Sequence, residues 1–356
     1  MQQNQPDSNQ RVIIVGCGSM SRTWVRHMTE RSDAEIVAFV DPVVDAAKKA
    51  AAATGNGAPV FTSLAEALGA VQADIVCDIT IPAAHREVAV TALEAGCDVF
   101  AEKPMADSLD AARAIVAAVR GSGRSHAVMQ NRRYNPNIRA YRSLVLGRRS
   151  PGEDRERDGI GRLGVLTADF FLGPHFGGFR DAMQSPLLLD MAIHTFDQAR
   201  FISGANAVSV HCLEHNPIGS WYAGNAAAFC TFRMSDGSIF SYRGSWCAEG
   251  APTSWESSWR AVGELGTAIW NGADAPYAEI ADGTSTEFMR PVRRVEAEPT
   301  WTGRNGHDGC LDEMFAARAA ARPAETDGTD NIHSIAMVFA AIESARTGRE
   351  VSIEET

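Results

Sequence analysis

The 356-residue chain is short of positive charge. Its 33 lysines and arginines stand against 44 aspartates and glutamates, a net charge of −11. So acidic a surface repels phosphate backbones and anionic lipid, which argues against nucleic acid as the main partner and against a polybasic membrane patch. No apolar run approaches the roughly 18 residues that span a bilayer, so no membrane association is expected. Cysteine pairs at C-x-x-C spacing are also missing. The seven cysteines (Cys17, Cys77, Cys97, Cys212, Cys230, Cys247 and Cys310) are odd in number and scattered. That predicts reduced thiols in a cytoplasmic protein. The opening MQQNQPDSNQ lacks an apolar core and a twin arginine, and reads as a disordered leader over residues 1–10 rather than a signal peptide. What is present is ample core material, 45% hydrophobic. A single core stops growing at roughly 250–300 residues, so two domains are expected. No internal repeat is evident.

One further absence sits in "VIIVGCGSMSRTWVRHM", Val12 to Met28. An apolar strand meets Gly16-Cys17-Gly18 and a helix follows, yet Ser21 stands where G-x-G-x-x-G has its third glycine. That glycine serves close helix–strand packing, and a small serine is a tolerable substitute. The helix N-terminus still presents free N–H groups to a pyrophosphate. Asp41 ends the second apolar run, at the spacing where a ribose hydroxyl is held. Pro-Val-Val follows it rather than arginine, which favours NAD over NADP.

The first third alternates strand and helix: strands at 11–15, 36–40, 60–61, 75–81, 99–101 and 127–130, helices at 21–31, 44–54, 64–68, 85–95 and 109–119. Ser63 and Glu66 have capping-box spacing. Such alternation predicts a doubly wound parallel sheet. "AEKPMADS" then places Glu102-Lys103-Pro104 at a strand end, where such sheets line their ligand crevice.

A second chemical segment is "SPLLLDMAIHTFDQARFISG". Its apolar residues predict a largely buried helix. Asp190, His194 and Asp197, spaced i, i+4 and i+7, share a face. Ionisable groups on a buried helix are paired or face a cavity. Three readings fit: a core histidine satisfied by a carboxylate, a metal site, and a catalytic acid–base face. No cysteine or second histidine lies at ligand spacing, so no metal is expected. Alcohol oxidation needs a proton acceptor and a stabiliser of the developing alkoxide. A neutral histidine suits the first role and a lysine ammonium the second.

These motifs together (G-x-G-x-x-S, Asp41, "TIPAAH" at Thr80 to His85, "EKP", "QNRRYNP" at Gln130 to Pro136, "DMAIHTFD" at Asp190 to Asp197, and "SIAMVFAAIESARTGREVSI" at Ser334 to Ile353) resemble the glucose–fructose oxidoreductase / inositol 2-dehydrogenase / rhizopine-catabolism (Gfo/Idh/MocA) superfamily. The resemblance runs from Arg11 to nearly the end. It implies an α/β fold: an N-terminal Rossmann doubly wound parallel sheet over 11–130, plus a C-terminal α+β domain over 131–356 with a large, mostly antiparallel open sheet. It implies catalysis by Lys103, Asp190 and His194. Gly16, Gly18, Ser19, Met20, Asp41, Thr80, Pro82, His85, Glu102 and Lys103 would hold NAD, with NADP the lesser alternative. Substrate contacts would come from Asn131 and Arg133 at the crossover, and from His175, Arg180 and His307 in polar loops. A cis Lys103–Pro104 bond is implied too.

The later texture agrees. "GVLTADFFLG", "AAFCTFRMSDGSIFSYRGSW" and "ESSWRAVGELGTAIWNG" contain strand-like runs, and Asp236-Gly237 is a hairpin signal. The charged stretch Gly147 to Arg162 reads as an exposed loop. Trp246, Trp255, Trp259 and Trp270 fit core, interface or sugar-stacking roles. The expected activity is NAD-dependent oxidation of a secondary alcohol on a sugar, polyol or cyclitol, by a homodimer or homotetramer paired through the open sheet. Two alternatives share the resemblance: an NAD-dependent redox glycosidase, which makes no net NADH, and a non-enzymatic NAD-binding regulator. The intact Lys103, Asp190 and His194 set speaks against the regulator.

Overall fold

A computed structural model describes residues 9–147, 159–299 and 301–353. The chain divides into two compact units. The first takes residues up to Gln130 together with His307–Ile332; the second takes Asn131–Gly306 and the chain from His333 onward.

The first unit alternates as the sequence predicts: β1 (Gln10–Val15), α1 (Ser21–Glu30), β2 (Ala34–Val40), α2 (Val44–Thr54), β3 (Val60–Phe61), α3 (Leu64–Ala70), β4 (Ile75–Asp78), α4 (Pro82–Glu94), β5 (Asp98–Ala101), α5 (Leu109–Ser122) and β6 (His126–Val128). The strands pair in parallel, in the order β3-β2-β1-β4-β5-β6. Val12, Ile13 and Ile14 of β1 are fully buried, as a strand covered on both faces requires. The strand order reverses between β1 and β4, which opens a crevice at their carboxyl ends. The Ser63 hydroxyl accepts the Glu66 N–H and caps α3.

Two boundaries differ from expectation. Residues 1–8 of the expected leader lie outside the described residues, but Gln10 is strand, paired with Ala34, because the backbone ladder of β1 continues past the apolar run. The predicted strand 75–81 stops at Asp78, and α4 begins at Pro82, whose fixed φ suits a first helical turn.

The second unit contains α6 (Pro136–Leu146), β7 (Leu163–Phe171), α7 (Ile193–Ser203), β8 (Ala207–His215), β9 (Ala227–Met234), β10 (Ile239–Ser245), β11 (Ser258–Gly263), β12 (Gly266–Trp270), β13 (Tyr277–Ala281) and β14 (Val292–Glu296). After α8 (Gly306–Ala319) in the first unit come α9 (Gly328–Thr347), inside which the chain returns to the second unit, and β15 (Val351–Ser352). The nine-stranded sheet runs β14-β13-β12-β11-β7-β10-β9-β8-β15, antiparallel except for the β7–β10 pair. Asp236-Gly237 turns the β9–β10 hairpin. Phe196 of α7 packs edge-on against Phe232 and Tyr242, at 4.9 and 5.3 Å between ring centres, and seats the helix on the sheet. Trp246, Trp259 and Trp270 are core; Trp255 is exposed.

Three further expectations are corrected. The segment 307–332, expected in a 131–356 domain, packs with the first unit. Its α8 buries Cys310, Leu311, Met314 and Phe315, with Phe315 edge-on to Phe100, and Thr326 accepts the Val128 N–H at the β6 edge. The expected helix through Asp190 is interrupted: Leu187–Ala192 forms a π-helix before α7. Of the expected loop Gly147 to Arg162, residues 148–158 lie outside the described residues, while Ile160 is buried and donates its N–H to Leu144.

Candidate active site

In the first unit, Gly16 adopts φ +88°, and a Cβ there would lie 2.5 Å from the Ile79 carbonyl oxygen, so only glycine lets β1 turn against β4. At Gly18 a Cβ would meet nothing within 4 Å. Ser21 is buried and donates to the Gly18 carbonyl at 2.7 Å, which satisfies the hydroxyl that replaces a third glycine. No side chain caps α1 and no acidic residue occupies its first turn. The N–H groups behind Gly18, Ser19 and the half-exposed Met20 therefore suit a pyrophosphate. Asp41 braces this loop: one carboxylate oxygen accepts the Cys17 N–H at 2.8 Å and the other the Val43 N–H at 2.8 Å. A carboxylate has further lone pairs for a ribose diol. The residues present fit a dinucleotide.

The next strand ends carry the rest. The Thr80 hydroxyl donates to buried Asp78 at 2.6 Å. Pro82 opens α4. Exposed Ile81 between them is a surface apolar residue that no residue-type signal singles out. His85, expected at the cofactor, is instead buried. Its Nδ1 lies 2.8 Å from the Pro104 carbonyl oxygen and its Nε2 3.1 Å from that of Thr80. The ring ties the β4 and β5 loops together, because helical spacing aims it inward. Glu102 is also buried. It accepts the Trp24 indole N–H at 2.7 Å and the Lys103 N–H at 3.2 Å, bracing the turn that presents half-buried Lys103. Lys103–Pro104 is cis. His307 belongs to this unit, with Nε2 3.9 Å from the Glu102 carboxylate.

In the second unit, Asp190 is held by Arg180, whose Nε donates to it at 2.7 Å. His194, at the start of α7, is buried. Asp197 has other partners. It receives a bidentate pair from Arg133, at 2.7 and 2.6 Å, and the Ser334 hydroxyl at 2.8 Å. Arg133, expected to touch substrate, is thereby consumed in a buried ion pair. Asn131 opens the same 3-10 turn and is part-exposed. His175 is exposed, stacks on Trp221 at 3.8 Å and lies 2.8 Å from the Glu249 carboxylate.

Sequence reasoning missed Arg132, which is buried and donates to the Trp255 carbonyl. Burial pushes its guanidinium below the usual arginine range, against Glu256, Tyr242 and Asp190, which raise it. Burial pushes Glu256 up, opposed by Arg132 and by Gln198, which donates to it at 2.7 Å. The sequence signal was the doubled arginine of "NRRY", of which only the second was singled out. Among the described residues no cluster of three His, Cys, Asp or Glu side chains is placed to hold a metal.

Residues 10–130 match the family described as an oxidoreductase family with an NAD-binding Rossmann fold, and residues 159–269 match the GFO/IDH/MocA C-terminal domain. The chain belongs to the GFO/IDH/MocA oxidoreductases. Among GFO/IDH/MocA relatives, the D-apiose dehydrogenase of Paraburkholderia graminis is 28% identical over 96% of this chain and 89% of its own. An inositol 2-dehydrogenase of Corynebacterium glutamicum is 33% identical over 56% of each chain. An oxidoreductase from Agrobacterium radiobacter, solved with NAD+, L-tartaric acid and magnesium, shares the fold at TM-score 0.82 and 21% identity, covering 97% of this chain and 99% of that one. No helix is long and apolar enough to cross a membrane.

Proposed function

We propose that the protein oxidises a secondary alcohol of a sugar or cyclitol, with NAD preferred to NADP. The observation that carries this reading is the glycine turn forced by Gly16, open at Gly18 and braced by Asp41. The D-apiose and inositol dehydrogenase relatives support the substrate class. Gly16 to Met20, Asp41 and Thr80 would hold the cofactor, whose nicotinamide when bound accepts the hydride. His194 takes the hydroxyl proton, since imidazole is the side chain whose ordinary pKa suits a base at neutral pH. The Lys103 ammonium offsets the negative charge growing on the same oxygen. Asp190, fixed by Arg180, orients a neighbouring hydroxyl or the imidazole. Seven free thiols suit a reducing, cytoplasmic setting.

NADH formation with sugars and inositols tests the reading. Removing a general base typically costs about 10²–10⁴-fold, so His194→Ala should lower turnover by that much and partly recover at alkaline pH, while Lys103→Ala should not recover. Asp41→Ala should weaken both dinucleotides, because the Cys17 N–H loses its acceptor, and NAD by the larger factor. Normal turnover in His194→Ala across pH, or tighter binding of NADP than NAD by the unmodified protein, would overturn these assignments.

A further inference from the structure

Beside Asp190 the second unit exposes three aromatic rings: Phe179 is 65% exposed, Phe176 57% and Trp255 45%. Solvent-facing aromatics grouped this closely mark a binding surface more often than chance exposure. Phe176 lies 6.4 Å from Trp255, and both rest on fully buried Trp246, at 6.1 and 5.6 Å. The Arg180 guanidinium sits 5.3 Å from the Phe176 ring centre and 4.8 Å from that of Phe179, while its Nε holds Asp190. Apolar faces and a charged hydrogen-bonding edge therefore alternate within a few ångströms.

The backbone on both sides is built to keep the rings there. Gly177 and Gly178 take consecutive left-handed conformations between the two phenylalanines, at φ +68° and +74°, a path that side chains resist. Trp255 is fixed through its carbonyl by Arg132 and through its neighbour Glu256 by Gln198. Ser257, in a left-handed conformation at φ +67°, bonds Thr195, the residue after His194. Tyr222 is only 4% exposed; burial pushes its hydroxyl up, and a side-chain hydrogen bond with Trp221 opposes that. The charges of Asp181, Asp190 and Arg180 all act on that hydroxyl.

We propose that Phe176 and Trp255 form a stacking platform for the C–H face of a cyclic polyol, with Arg180 and Asp190 taking its hydroxyl groups. Sugar and cyclitol rings have one apolar face and a polar rim, and that is the pattern this surface complements. The inference rests on the proposed dehydrogenase reading and narrows it: rings with a flat axial C–H face are preferred to open-chain alditols.

The test compares Trp255→Ala, Phe176→Ala and the double variant with a control, Phe288→Ala, whose fully exposed ring lies elsewhere in the unit. KM for a cyclic substrate should rise about 10- to 100-fold in the double variant, the factor expected from losing one or two aromatic contacts. NAD affinity, and KM for an alditol, should stay near the unmodified values. Trp255→Phe, which keeps a ring face, should restore most of the loss. An unchanged KM for the cyclic substrate, or an equal loss for ring and alditol, would overturn the platform. If no polyol is oxidised at all, the dehydrogenase reading fails separately. Saturation-transfer NMR with myo-inositol and methyl glucoside then reads the platform alone: transfer to ring C–H protons, lost in the double variant, supports it, and no transfer in the unmodified protein, with the aromatics instead burying in self-association, overturns it.

Discussion

Glu214 on β8 shows how one residue ties stability to pH. Burial pushes its carboxyl up from 4.5 to about 7, although hydrogen bonds from Ser185 and Asn225 lower it. The folded state therefore favours the protonated form. Its contribution to stability is fully present below about pH 4.5 and is lost as pH rises through about 7. Glu214→Gln mimics the protonated acid, so it should leave stability at about pH 4 unchanged and raise it at about pH 8; urea titrations at the two pH values check this. A shift of equal size at both would sink the assignment. Sequence could not show this, because nothing in "CLEHN" says which glutamate a neighbouring turn will cover. The same limit explains Arg133 and His85. Their residue types are those of a ligand site, but side-chain direction is fixed by elements far away in sequence: Asp197 for the arginine, the Pro104 carbonyl for the histidine. The places of Gly16, Asp41 and Lys103 at strand ends were legible because they follow from local chain geometry after a strand.

At the level of elements, the Arg133–Asp197 pair joins the 3-10 turn at 131–134 to α7, and Ser334 adds α9. Both charges are almost wholly buried. Removing one partner strands the other, so Asp197→Ala should cost about 3–5 kcal/mol, while Arg133→Met with Asp197→Leu should recover much of that. Denaturant unfolding of the three proteins measures it, and a loss under about 1 kcal/mol in Asp197→Ala would show that the arginine finds water instead. The strand–helix alternation of the first unit was readable because each period is local. The π-turn at Leu187–Ala192 was not: it changes the backbone repeat without changing the apolar pattern. Nor were β8, β13 and β14 singled out. Their alternation is diluted by charged residues on the outward face.

For the whole molecule, the exposed face of the nine-stranded sheet carries apolar residues. Leu213 and Phe229 face each other across β8 and β9, and the row continues through Arg243, paired with Asp169 on β7. Val165 and Val262 form a second exposed pair. Leu213 is 62% exposed, too much apolar surface for a sheet meant to meet water. A second copy of the chain, related by a two-fold axis, is the proposed cover. Light scattering should show a dimer or tetramer, and Leu213→Glu with Phe229→Glu should shift it to monomer. A monomer before substitution would refute the cover.

The return of 307–332 to the first unit has a consequence for synthesis. The edge of β6 has its partner only when Thr326 and Asp327 arrive, after the whole stretch from Asn131 to Gly306 has been made. The Rossmann sheet leaves the ribosome with an open edge, the kind that templates aggregation. A nascent chain stalled before residue 307 should therefore hold both units unfinished, neither able to fold first and wait for the other.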